Sequence, residues 1–320
     1  MKKDNTNDVV VSIVCNAYNH EKYIADAIEG FVMQKANFGF EILIHDDAST
    51  DHTADIIREY EKRYPELIKP IYQTENQYSK KEGSVLRIQY GRAKGEYIAL
   101  CEGDDYWTDS LKLQKQVDAL KAHPECDMCA HGAVTIDAET QREIYRDGAK
   151  GCDRILNPED VIAGGGGYLT TNSLMFRKSL LDTKWKFREI IKLDYTLQIL
   201  GSLRGGIVYL EDTMSVYRLG VQGSWTQRMA QDVKKRIQHR SRIFQMFETL
   251  NAETGYKYDA TIQREIMRTE IDTLDLSGNG KEIFKKKYKK TLKEMPREQV
   301  AKYWIKAYLP CIYRIYKRRR

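Results

Sequence analysis

The chain has 320 residues, 42% hydrophobic and 31% charged, with a net charge of +6. That composition is ordinary for a soluble globular protein with room for one large domain or two smaller ones, and it excludes disordered, collagen-like and disulfide-scaffold classes. No run approaches the ~18 apolar residues that cross a bilayer, and the polar stretch Met1 to Asp8 lacks the apolar core of a signal peptide, so the expected location is the cytoplasm.

In chain order, residues 1–8 are expected to be disordered. Val9 to Cys15 is β-branched and apolar, the pattern of a central strand buried on both faces. The polar turn Asn16-Ala17-Tyr18-Asn19-His20 follows, then a helix marked by Ile24, Ala27, Ile28 and Phe31. A second buried strand, Phe40 to Ile44, runs into His45-Asp46-Asp47-Ala48-Ser49-Thr50-Asp51, where Ser, Thr and Asp can cap the next helix. A third strand spans roughly Ile68 to Gln73, a helix lies near Ser84 to Lys94, and Gly95 ends it. The fourth strand, Tyr97 to Leu100, leads into Cys101-Glu102-Gly103-Asp104-Asp105-Tyr106-Trp107.

Beyond it the spacing predicts a helix through Leu113, Val117 and Leu120, a strand from Cys126 to Ile136, and an exposed hairpin or loop over Asp137 to Asp153. Gly164 to Gly167 reads as a loop or close approach, or as a ligand cradle. A helix opens at Leu193-Asp194, and Ile207 to Leu210 and Met214 to Tyr217 read as two strands. After Trp225 the pattern becomes basic and helical, which places an expected boundary between residues 9–225 and 226–320. The six cysteines are scattered. Cys126 and Cys129 form a CxxC without the second pair that a zinc site needs.

Strands alternating with helices at this spacing define an α/β chain with a Rossmann-like, mostly parallel sheet flanked by helices. Ligands of such sheets bind outside the carboxyl ends of the strands. Asn16 to His20, Asp46 with Asp47, and Glu102 to Asp105 all follow strands and therefore converge on one rim. The acidic cluster alone has two readings, a solvated turn or a site for a hard divalent cation.

The chain lacks GxGxxG after its first strand, GxxxxGK[ST] and GxSxG, which sets aside dinucleotide-dependent dehydrogenases, P-loop enzymes and α/β-hydrolases. An acidic rim repels a phosphorylated ligand unless a cation mediates. Two carboxylates with Mg²⁺ or Mn²⁺ bridging a diphosphate satisfy both requirements.

Val11-Ser12-Ile13-Val14 with Tyr18-Asn19, then Ile44 to Asp51, then Glu102-Gly103-Asp104-Asp105, resembles family 2 of the glycosyltransferases over roughly residues 9 to 225. Thr171 to Arg177 and Met214 to Arg218 resemble later segments of that family. The resemblance implies a GT-A fold and a metal-dependent, inverting transfer of sugar from a nucleotide-diphosphate donor, most commonly a UDP-sugar, to a saccharide or lipid-linked acceptor. Many members build bacterial surface polysaccharides. It implies that Ala17, Tyr18 and Asn19 contact the nucleotide and that Asp46 or Asp47 accepts from the base. It also implies that Glu102 and Asp104 hold Mn²⁺ or Mg²⁺ as the outer positions of a DXD motif, and that Asp105 faces the sugar or ribose. Glu102 departs from the usual Asp.

Asp194 falls at the family's catalytic-base position; the other reading is an ordinary helix cap. Arg218 is open between neutralising a phosphate and a surface role. Trp107 and Trp225 are open between stacking on a ligand and packing in a core. The run Tyr217 to Trp225 contains no His where many relatives of the family carry one.

From Gln299 onward there is no Asp or Glu, and aromatics alternate with Lys and Arg. This tail reads either as a segment lying on an anionic membrane surface, peripheral at the inner face, or as a helix docked on its own domain. No nucleic-acid-binding motif accompanies the charge. Two rival functions remain, a nucleotidyltransferase and a non-catalytic nucleotide-sugar-binding subunit.

Overall fold

The computed structural model describes residues 8–80, 83–146, 153–311 and 313. Residues 1–7 of the expected disordered start, residues 147–152 of the expected loop, and 312 and 314–320 of the basic tail lie outside the described residues. The chain divides into two units, Met1–Lys184 with Lys192–Val221, and Trp185–Ile191 with Gln222–Arg320.

The first unit begins with four strands joined by three helical crossovers. Strand β1 (Val9–Ala17) leads through helix α1 (Ile24–Val32) to β2 (Gly39–Asp46), then through α2 (Thr53–Arg63) to β3 (Ile68–Tyr72). A short α3 (Gln77–Lys80) and α4 (Ser84–Arg92) return the chain to β4 (Tyr97–Leu100). These strands lie in the order β3-β2-β1-β4, all parallel, as right-handed crossovers of this length require. Helix α1 turns Ile24, Ala27, Ile28 and Phe31 onto the sheet, where they meet Ile13, Ile42 and Ile44 in one apolar cluster.

The second half of this unit is mixed. It contains β5 (Tyr106–Trp107), α5 (Lys112–Ala122), β6 (Met128–Asp137), β7 (Glu143–Arg146), β8 (Arg154–Leu156), α6 (Pro158–Gly164) and β9 (Met175–Arg177). After α7 (Phe187–Ile190), which belongs to the second unit, come α8 (Asp194–Ser202) and β10 (Ile207–Leu219). The sheet continues from β4 through β9, β6 and β10 to β5, and β7 and β8 pair off its path. The long strands β6 and β10 run parallel, while the short ones join antiparallel. The α/β, GT-A-like sheet expected from the sequence is therefore present.

Two local expectations change. The two strands expected around residue 212 are one continuous β10, with register irregularities between Leu210 and Ser215. The polar run Glu211-Asp212-Thr213 that reads as a turn is a bulge, where Asp212 faces out to pair with Lys115 at 2.9 Å. The glycine run is a turn after α6: Gly165 takes φ +72°, and a side chain on Gly164 would meet the Tyr168 ring at 2.3 Å.

Trp107 is core, 2% exposed and edge-on to Phe31 with ring centroids 4.9 Å apart. Beneath it lies a buried cation. Lys112 is fully buried, with Nζ 3.8 Å from the Trp107 ring centroid and donating to Gln116 Oε1 at 2.7 Å. Burial pushes its ammonium down to about 7, the nearby Cys101 and Cys129 thiols opposing only weakly. The folded chain thus binds fewer protons than the unfolded one between about pH 7 and the unfolded lysine value. Stability from this group is lowest below that window and rises with pH through it. Lys112→Met is expected to raise stability by on the order of 1–2 kcal/mol at pH 6.5, after allowing for the unpaired Gln116, with the gain shrinking towards pH 10. Thermal melts of both proteins across that range check this; parallel curves would contradict it.

The second unit is helical. Helices α9 (Trp225–Gln231), α10 (Val233–Glu253), α11 (Asp259–Leu276), α12 (Lys289–Glu294) and α13 (Arg297–Tyr308) follow one another, with two short 3-10 turns, Gly280–Phe284 and Lys286–Tyr288, between α11 and α12. Ser224 and Asp232 cap α9 and α10 through their side-chain oxygens. The Glu253 carboxylate accepts from the Lys186 and Phe187 amides and so ties α7 to this unit. Ile271, Ile283, Tyr288, Met295 and Tyr303 form an apolar cluster of its own. Trp225 is 39% exposed and stands edge-on to His239. Among the described residues no helix is long and apolar enough to cross a membrane. Cys126 and Cys129 are buried free thiols, pushed by burial up to about 11 and about 12, values that leave them unreactive.

Candidate active site

The carboxyl ends of β1, β2 and β4 are adjacent, and hydrogen bonds lock their loops together. Register sets Ala17 opposite Asp46. The Asp47 amide donates to Ala17 O at 2.9 Å and the Gly103 amide to Asn16 O at 2.9 Å. Asn19 takes φ +57°, which aims its Oδ1 at the Thr50 amide (2.8 Å) while its own amide donates to Ser49 Oγ (2.9 Å). The His20 amide donates to Thr53 Oγ1 at 2.8 Å, and that hydroxyl donates to Asp51 at 2.6 Å. The Asn16–His20 turn and the Asp46–Thr53 turn are thus one braced wall, with Tyr18 projecting from it at 39% exposure.

The two acids that end β2 have different environments. Asp47 accepts at both oxygens, from the Gln77 amide at 2.7 Å and the Tyr78 amide at 3.0 Å, and so caps α3. Asp46 keeps Oδ1 without a protein partner, and Oδ2 receives only the Ser49 amide at 3.4 Å. Burial raises the Asp46 carboxyl above its ordinary range. An under-satisfied acceptor of this kind suits a donor N–H from a ligand.

The loop after β4 sorts its three acids. Asp105 is 1% exposed, accepting from the Arg218 amide at 2.8 Å and from Asn172 Nδ2 at 3.2 Å. Both oxygens accept a hydrogen bond from inside the protein, so Asp105 braces this loop. Asn172 is the hub of this brace: it also donates to Val216 O (2.9 Å), accepts from Ser215 Oγ (2.9 Å), and takes the Trp107 indole N–H on its carbonyl (2.9 Å).

Asp104 remains accessible, its side chain 13% exposed and 3.9 Å from His20 Nε2. Gly103 permits that approach, because a Cβ there would sit 2.9 Å from Ile24 Cδ1 and 3.0 Å from His20 Nδ1. Glu102 is solvent-exposed by area. Crowding by protein, and then by Asp104 and Asp194, nonetheless pushes its carboxyl up to about 8.

Arg218 is buried at the end of β10, not a surface residue. Its guanidinium pairs with Asp26 of α1, donates to Asp104 O at 3.0 Å, and stacks over Tyr106 (4.4 Å) and Tyr23 (5.0 Å). It holds the acidic loop from behind.

Asp194 opens α8 at its first helical position, with Leu193 as the capping residue. One oxygen accepts from Thr171 Oγ1 at 2.9 Å and the other from the Tyr195 amide at 2.8 Å. Burial raises its carboxyl above the ordinary range. Its charge is among those that raise the Glu102 carboxyl. Sequence reasoning gave no role to His20, Asp26 or Asn172, and their only signal was proximity to motif residues.

The wall and the acidic loop stand together at the carboxyl rim of a sheet of GT-A type. The family model for Glycosyl transferase family 2 matches residues 12–183. An uncharacterised protein of Mycobacterium tuberculosis is 40% identical over 225 residues, covering 67% of this chain and 60% of its own length. The Escherichia coli protein WfaP, named a UDP-Glc:alpha-D-GlcNAc-diphosphoundecaprenol beta-1,3-glucosyltransferase, is 35% identical over 108 residues, 34% of this chain and 40% of its own. Staphylococcus aureus TarS 1-349, solved with UDP-GlcNAc, superposes with a TM-score of 0.62 at 16% identity, over 93% of this chain and 79% of that one.

The chain belongs to glycosyl transferase family 2 and has its fold, and relatives it matches act in glycan assembly. It spans about 60% of the length of the mycobacterial relative.

Proposed function

We propose that this chain is a metal-dependent, inverting glycosyltransferase that moves a sugar from a nucleotide-diphosphate donor to a saccharide or lipid-linked acceptor in surface polysaccharide biosynthesis. The observation that carries this reading is the placement of Glu102 and Asp104 on one loop at the carboxyl rim of β1, β2 and β4, where the Asp104 and Asp194 charges both raise the Glu102 carboxyl. Like charges gathered this closely are stabilised by a cation, and carboxylate oxygens are the donors that Mg²⁺ and Mn²⁺ prefer. Asp104, with Glu102 beside it, would hold that ion, which when bound neutralises charge on a leaving diphosphate.

The remaining residues divide the work. The wall of Ala17, Tyr18 and Asn19 frames the nucleotide. Asp46, with its unpartnered oxygen, is the better reader of the base, and Asp47 fixes the loop that carries it. Asp105 and Arg218 keep Asp104 in place. Asp194 takes the proton from the acceptor hydroxyl as that oxygen bonds to the anomeric carbon and the nucleoside diphosphate departs from the opposite face. A carboxyl raised by burial is a stronger base than an ordinary one, and its Thr171 partner orients it. A uridine donor is favoured by the likeness to TarS, which binds UDP-GlcNAc, and a diphospholipid acceptor by the likeness to WfaP.

Thermal-shift and calorimetric titration with UDP-, GDP-, dTDP- and CMP-sugars in Mn²⁺ tests the reading. Stabilisation of about 2–3 kcal/mol at a hundredfold excess over Kd is expected for one uridine donor. Release of pyrophosphate from a sugar phosphate and UTP would instead indicate a nucleotidyltransferase. Binding without any transfer across an acceptor panel would indicate a non-catalytic subunit.

A further inference from the structure

Helix α13 has two faces with different partners. On one, Tyr303 is buried and donates to Asp272 at 2.7 Å, and Lys306 pairs with Asp275 at 2.6 Å, so the helix is docked on α11. On the other, Arg297, Ala301, Trp304 and Tyr308 recur at helical spacing. Trp304 is 46% exposed, Tyr308 43% and the following Leu309 39%. The Trp304 and Tyr308 rings lie 5.5 Å apart, and Phe284 backs Tyr308 at 5.7 Å.

The 3-10 turn Gly280–Phe284 crosses close to this helix, with a Cβ on Gly280 falling 3.2 Å from Ala307 Cβ. That closeness sets Lys281 Nζ 5.9 Å from the Tyr308 ring centroid. The aromatic stripe is thus flanked by cations at both ends, Lys281 and Arg297, both exposed.

We infer that this face of α13 docks the second unit on an anionic lipid surface. Trp and Tyr bury an apolar ring while keeping a polar tip wet, which places them at a lipid headgroup boundary. Flanking cations supply the attraction to acidic headgroups. Charge decides between occupants. Between Lys281 and Lys306 the chain carries Lys and Arg well in excess of Glu, so a second copy of the same face would be repelled and an acidic bilayer attracted. The docked side of the helix leaves this stripe fixed in place, so binding requires no unfolding. The inference does not rest on the transferase reading.

Flotation of the full chain with phosphatidylglycerol-containing vesicles, against pure phosphatidylcholine vesicles, is the test, and it needs no donor or acceptor. Binding to the acidic vesicles only is expected. Trp304→Ser with Tyr308→Ser should abolish it while leaving the melting temperature unchanged, since both side chains are exposed. Lys281→Glu with Arg297→Glu should weaken partitioning by at least about 25-fold, about five-fold for each cation removed. Quenching of tryptophan fluorescence by brominated lipid, lost in Trp304→Phe, would locate the contact. Equal flotation of all forms would overturn the inference, as would loss only on removing residues 314–320, or a dimer that Trp304→Ser with Tyr308→Ser dissociates without any vesicle binding.

Discussion

Asp104→Ala is expected to lower Mn²⁺-dependent affinity for UDP by at least about a hundredfold, leaving the fold intact. The magnitude follows from losing a direct carboxylate in a recess where changes to supporting groups alone cost about 10–100-fold. The Asp104 side chain is accessible and stands 3.9 Å from His20 Nε2, while Arg218 secures its backbone. Glu102→Gln should cost less, about ten-fold, because the amide keeps an oxygen donor while losing the charge. Calorimetry with UDP, with and without Mn²⁺, measures both. Unchanged affinity in Asp104→Ala would sink the metal assignment.

Asp194→Asn is expected to keep UDP binding within about two-fold and to lower kcat by about 10²–10⁴, the usual contribution of a positioned base. Asparagine can keep both contacts, with Oδ1 accepting from the Tyr195 amide and Nδ2 donating to the Thr171 hydroxyl in a reversed bond, but it cannot take a proton. The wild-type pH profile carries a second signature. Burial raises the folded Asp194 carboxyl, so the fraction able to accept a proton grows as pH rises through a value above the ordinary carboxylate range. The acidic limb of kcat should therefore lie above that range and vanish in Asp194→Asn. If the variant retains full turnover, Asp194 is a helix-start residue only, a role its first-turn position in α8 also permits.

The rim was legible because its parts are local. Each wall residue follows a strand, and the parallel register of β1, β2 and β4 brings those turns together without further instruction. Arg218 and Asn172 were not legible in the same way. Nothing in the run Tyr217-Arg218-Leu219 says that its guanidinium will turn inward to Asp26, 192 positions earlier. Such pairings are set by which strands become neighbours, and β10 lies far from β1 in sequence yet beside the acidic loop in the sheet.

The tail illustrates the same division. Alternating aromatics and cations admitted two readings, a membrane-facing segment or a docked helix. In α13 the docked reading applies to Tyr303 and Lys306, while Trp304 and Tyr308 lie exposed on the other face.

The sequence by itself determined the alternation of strands and helices, the family, and the positions of the three acidic motifs, because these depend on periodicity and on short runs of residues. Only the tertiary structure decided how each acid is held. Asp46 differs from Asp47, and Asp104 from Asp105, by hydrogen bonds that arrive from Gln77, Tyr78, Asn172 and Arg218. Adjacent carboxylates are chemically alike, and their distinct tasks come from which of their oxygens the fold has already engaged.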